Sequence, residues 1–133
     1  MEARRILIDT SVLIEYFRKQ NKSKSYLWEL MNESAKFFIS SITEFEFYCG
    51  CKGQKRKDEA RKLLDLFDKI DFNSMHSLKA GQVFVELRSK NQLINLMDIL
   101  LAGVAIHEKM SIATLDRAHF SKIESLDVLS SSK

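Results

Sequence analysis

Residues 95–114 read NLMDILLAGVAIHEKMSIAT, and from Ile99 to Ile106 no polar side chain appears on any side of a helical wheel. A helix that is apolar all round must be buried. The run that follows it, SIAT at 111–114, has the length and composition of a short buried strand. A buried helix leading into a buried strand is the pattern of helices packed on a parallel sheet. Asp98, in the first turn of that helix, is a charge at the edge of the core, which is costly unless it is paired or bound to a cation.

Working outward, short segments rich in Ile, Leu, Phe and Val predict strands at 6–8, 37–39, 70–72 and 111–114, with a fifth at 126–129. Between them, longer segments predict helices at 11–19, 26–33, 43–51, 55–69, 77–90 and 97–109. Parallel strands need crossover connections, usually helices, so this alternation implies a three-layer α/β/α fold around a parallel sheet of four to five strands. With 133 residues, 45% of them apolar, and no long polar tract, one domain spanning 1–133 is expected. The absence of proline removes one marker of element ends.

The longest apolar run is far shorter than the roughly 20 residues of a membrane span, and the N-terminus has no long apolar stretch, so a cytoplasmic protein without a membrane anchor is expected. Cys49 and Cys51 are too close together to staple the fold and have no second ligand pair for zinc, which leaves them as reduced structural thiols. The formal charge is +3; setting four clustered acids apart would leave the rest of the molecule at +7, a surface that attracts polyanions. Basic residues gather at Arg4 and Arg5, along 18–24, and at Lys52, Lys55, Arg56 and Lys57.

Ligands of open α/β sheets bind beyond the carboxyl ends of the strands. Asp9 follows the first strand, Asp116 lies just after SIAT, and Glu46 and Asp98 occupy first turns of helices expected at the same edge. Carboxylates crowded together repel one another unless a hard divalent cation neutralises them. Each acid also has an ordinary reading: Asp9 and Asp116 as helix N-caps, Thr43 with Glu46 as a capping box, and Asn95 with Asp98 at a similar spacing. On a helical wheel Glu44 and Glu46 flank the apolar face of Ile42, Phe45, Tyr48 and Cys49 about equally, so periodicity does not choose between them. Phe47 lies opposite that face, as a large exposed aromatic of a contact surface would.

In order and spacing, three stretches resemble the PIN-domain ribonucleases, and within them the VapC-type toxins of bacterial and archaeal toxin–antitoxin pairs. These are RILIDTSVLIEYF, FFISSITEFEFYCG and INLMDILLAGVAIHEKMSIATLDRAHFSKIESLDVL. The resemblance implies that Asp9, Glu46, Asp98 and Asp116 fill the family's four acidic positions. It selects Glu46 over Glu44, because the family glutamate precedes a glycine by four, as Glu46 precedes Gly50. It also implies supporting roles for Thr10, Ser11 and Thr114. A proline common in the family before the third acid is missing from 93–97.

The implied chemistry is hydrolysis of an RNA phosphodiester with Mg²⁺ or Mn²⁺ held by Asp9, Asp98 and Asp116, with Glu46 on the metal or on water beside it. His76, His107 and His119 are rival acid–base groups, and His107 and His119 are read as structural. The implied partners are RNA, a cognate antitoxin lying across the groove, and a second copy in a homodimer. The alternative is a PIN-like module that binds nucleic acid or protein without cutting; such modules typically lose one or more of the acids.

Overall fold

The computed structural model describes residues 3–131. Its strands are β1 (Arg4–Ile8), β2 (Ala35–Ser40), β3 (Asp68–Ile70), β4 (Ser111–Ala113) and β5 (Val128–Leu129). The α-helices are α1 (Thr10–Arg18), α2 (Tyr26–Met31), α3 (Ser41–Cys49), α4 (Gly53–Leu64), α5 (Ser74–Ser89), α6 (Leu96–Glu108) and α7 (Arg117–Phe120), with one 3₁₀ turn at Lys22–Lys24. The strands form one all-parallel sheet in the order β3-β2-β1-β4-β5. The expected three-layer α/β/α fold is present.

Strand periodicity explains the layers. Along β1, Ile6 and Ile8 enter a core shared with α1, α2, α4 and Phe47 of α3, while Leu7 enters a second core with α5, α6 and Phe120 of α7. Successive side chains of a strand point to opposite faces, so these three fully buried residues join both helical layers to the sheet. Burying each contributes about 1.5–3 kcal/mol. Helix α6 is buried as its composition requires: Ile99 and Leu101 to Ala105 are enclosed, and Asn95 caps it by accepting from the Met97 N–H. Gly103 is needed where α5 crosses α6, since a Cβ there would lie 2.6 Å from the His76 carbonyl oxygen.

Several expectations are corrected. The third strand is Asp68–Ile70 rather than 70–72, and the helix before it ends at Leu64 rather than at 69. This is an edge strand whose Asp68 and Lys69 are exposed, so its composition carries no apolar signal. Helix α5 begins at Ser74, three residues before the expected start, because the Asn73 side chain accepts from Met75 and His76 N–H while His76 Nδ1 accepts from Asn73 N–H.

Thr43 and Glu46 do not form a capping box: the N-cap of α3 is Ser40, which accepts from Ile42 N–H. Phe47 is 4% exposed and packs edge-on against Phe17 at 5.1 Å, whereas Phe45 is 56% exposed. Helix α3 follows β2 with no intervening loop, so the direction of the strand sets which face turns inward, and that face carries Thr43 and Phe47. Both cysteines are free, but Cys49 is exposed and so does not pack.

Candidate active site

Four acids from separate segments meet at the carboxyl edge of the central strands. Asp9 continues β1 and is tied to β4 by its N–H, which donates to the Ala113 carbonyl at 2.9 Å. It stands at the N-cap position of α1 yet makes no capping bond through its side chain. Instead Asp9 Oδ2 accepts hydrogen bonds from Ser11 Oγ and Thr114 Oγ1, both at 2.7 Å, and the residue is only 4% exposed. Thr114 Oγ1 in turn accepts from Asp116 N–H at 2.8 Å, and Ser11 Oγ accepts from Leu115 N–H at 3.0 Å. The two hydroxyls thus brace the aspartate and fix the turn after β4. Asp116 likewise makes no side-chain cap bond to α7. For these two acids the simple capping explanation fails.

Glu46 and Glu44, equivalent on the wheel, go different ways. Thr10 Oγ1 donates to Glu46 Oε1 at 2.8 Å, whereas Glu44 Oε2 pairs with Lys69 at 3.3 Å, away from the cluster. Burial pushes the Glu46 carboxyl up; the Thr10 hydrogen bond opposes that shift and the Asp9 charge adds to it. Asp98 is pushed up to about 6 by burial first, and further by the charges of Asp9, Glu46 and Asp116, against a lowering contact from His119. That the charges of Asp9, Glu46 and Asp116 all reach Asp98 places the four carboxylates in one electrostatic site.

His119, read from sequence as structural, belongs to this cluster. Its Nδ1 lies 2.7 Å from Asp116 Oδ2 and 3.2 Å from Asp98 Oδ2. The signal that could have found it is the Asp-x-x-His spacing, which puts Asp116 and His119 on one helical turn. The other histidines lie elsewhere: His76 is fully buried with Nε2 2.8 Å from Glu108, and His107 stands edge-on to it at 5.4 Å.

The donor set suits a hard divalent cation. It offers carboxylate oxygens in excess of local positive charge, and one ligand atom each from Asp98, Asp116 and His119 lie within 4.8 Å of one another. Asp9 Oδ1 receives no hydrogen bond from the described residues and remains available as a further oxygen donor.

The parallel five-stranded sheet flanked by helices is the PIN-type architecture, and the chain belongs to the PIN domain family, whose family model matches residues 6–126. Its relatives include Ribonuclease VapC3 of Methanocaldococcus jannaschii, 34% identical over 98 residues covering 74% of this chain and 95% of that protein. Ribonuclease VapC1 of the same organism is 29% identical over 123 residues, covering 92% of this chain and 84% of that protein. Among solved structures, VapBC2 of Rickettsia felis bound to a promoter DNA fragment superposes with a TM-score of 0.81 at 25% identity, covering 96% of this chain and 99% of that one. DNA-bound VapBC of Salmonella typhimurium gives a TM-score of 0.83 at 21% identity, covering 96% and 98%, a likeness of fold.

Proposed function

We propose that this chain is a Mg²⁺- or Mn²⁺-dependent endoribonuclease and the toxin of a toxin–antitoxin pair, with residues 1–133 forming one PIN domain. The observation that carries the reading is the convergence of Asp9, Glu46, Asp98 and Asp116, in which burial first, and then the charges of Asp9, Glu46 and Asp116, push the Asp98 carboxyl up to about 6. Asp9 and Asp116 make no side-chain cap bond, and acids so placed suit the retention of a cation. Relatives named as ribonucleases make RNA the substrate of this reading.

In this mechanism Asp9, Asp98 and Asp116 would hold the cation. When bound, it acidifies water in its shell and stabilises negative charge on the phosphoryl and leaving oxygens. Ser11 and Thr114 fix the Asp9 carboxylate in one orientation by occupying Oδ2. Thr10 does the same for Glu46 by occupying Oε1, which leaves Oε2 to orient water or the cation. Exposed Lys55, Arg56 and Lys57 on α4 attract the polyanion.

A cognate antitoxin covering the groove, a homodimer and a cytoplasmic setting complete the proposal. No helix among the described residues is long and apolar enough to cross a membrane. Phe47, buried, takes no part in a partner surface; exposed Met75, Leu78, Val85 and Leu96 are apolar residues on α5 and α6 from which a dimer face can be built. Sedimentation as a strict monomer at micromolar concentration would remove the dimer from the proposal.

The decisive experiment incubates purified protein with labelled RNA after chelation and again after Mg²⁺ or Mn²⁺ is restored. Cleavage that stops and returns supports the reading. Undiminished cleavage in chelator refutes the metal requirement, and tight RNA binding without cleavage under any metal favours the non-catalytic module.

A further inference from the structure

One side chain of the acidic cluster is not used by the mechanism above. His119 sits three residues after Asp116, so both project from a single turn at the start of α7. Carboxylate-x-x-histidine at this spacing presents two ligands to one ion, as in the inward-facing pairs of carboxylate-bridged metal bundles. The distances fit such a role. Nδ1 is 2.7 Å from the Asp116 oxygen and 3.2 Å from the Asp98 oxygen. Neighbouring ligands of an octahedral ion with bonds of about 2.1 Å lie about 3 Å apart. The imidazole is also 41% exposed, so no packing in the core dictates where it points.

Resting on the cation site proposed above, we propose that His119 is a nitrogen ligand of that cation and tips the site toward Mn²⁺ over Mg²⁺. Magnesium favours all-oxygen shells and gains little from an imidazole, whereas first-row transition ions accept one readily. Asp9, Glu46, Asp98 and Asp116 alone would make an all-oxygen site; His119 makes it mixed. It is the histidine that reaches these acids, since His76 is held by Glu108 and Asn73, and His107 packs against His76.

The test uses metal-free full-length protein and Mn²⁺ alone, without RNA. Pulsed electron paramagnetic resonance should detect nitrogen-14 coupling to bound Mn²⁺ in the unmodified protein. That coupling should vanish in His119→Asn, whose amide stands near the position of Nδ1, and in His119→Ala. Mn²⁺ affinity should fall about tenfold in both variants. Mg²⁺ affinity, measured by competition, should change by less than about twofold. Mn²⁺ binding without nitrogen coupling, coupling that persists in His119→Asn, or an equal loss of affinity for both ions overturns the assignment while leaving the cation site intact. An unmodified protein that binds no Mn²⁺ overturns both the assignment and the cation site beneath it.

Discussion

Thr114 Oγ1 donates a 2.7 Å hydrogen bond to Asp9 Oδ2 across 105 residues of chain. The same hydroxyl oxygen accepts from Asp116 N–H, so one threonine sets the position of two acids that lie on different segments. A buried carboxylate needs such donors, and here they are the hydroxyls of Thr114 and Ser11 rather than the backbone N–H groups that open α1.

Thr114→Val keeps the shape of the strand and removes the hydroxyl. Asp9 Oδ2, Asp116 N–H and the more distant Ser11 Oγ then each lose a partner. We expect about 1–3 kcal/mol of destabilisation in urea titration. RNA cleavage should fall about 10- to 100-fold. Thr114→Ser should recover most of both.

Asp9→Asn is nearly isosteric, and its amide oxygen can still accept from Ser11 and Thr114. The fold should persist by circular dichroism. Loss of the charge should lower metal-dependent cleavage by at least about 100-fold. Full activity in the purified variant would refute the role given to this residue.

Glu46→Gln and Glu44→Gln form a matched pair, because only Glu46 reaches Thr10 while Glu44 pairs with Lys69. Cleavage should drop by about an order of magnitude or more in the first and stay within about twofold in the second. Equal effects would refute a special role for Glu46.

Asp98 has its carboxyl pushed up to about 6 from 3.8, by burial and by its neighbours' charges. The folded state therefore holds this proton more tightly than the unfolded chain does. Its contribution to stability is most favourable below about pH 4 and is lost as pH rises through about 6. Asp98→Asn should therefore stabilise the metal-free protein at pH 7, on the order of 1–2 kcal/mol by thermal or urea unfolding, while weakening cation binding. In the unmodified protein cation affinity should climb between pH 5 and 7 with release of a proton, measurable by calorimetry in buffers of different ionisation heat.

Gly103→Ala drives a Cβ to 2.6 Å from the His76 carbonyl oxygen and 2.8 Å from Ala80. Since those atoms belong to the neighbouring helix, α5 and α6 must separate slightly. A loss of about 1–3 kcal/mol in chemical denaturation is expected. An unchanged midpoint would mean that the helix contact is looser than described.

Features that depend on local pattern are legible in the chain alone. The all-apolar stretch from Ile99 to Ile106 demands a buried helix, and the strand–helix alternation demands a parallel sheet. Asp9, Glu46, Asp98 and Asp116 were marked by position within their segments and by resemblance to the PIN family. Tertiary structure decided what depends on direction and distance. An edge strand with exposed Asp68 and Lys69 carries no apolar signature, so the apolar pattern points to 70–72 while the strand lies at Asp68–Ile70. The face of α3 follows from its direct exit from β2, which buries Phe47, exposes Phe45 and separates Glu46 from Glu44. His119 was visible only as a residue near a turn, and it joined the acids because α7 brings its imidazole against Asp98, 21 positions earlier in the chain. Periodicity is a property of neighbours along a chain, whereas a site is made of residues whose separation in space is set by the packing of every layer between them.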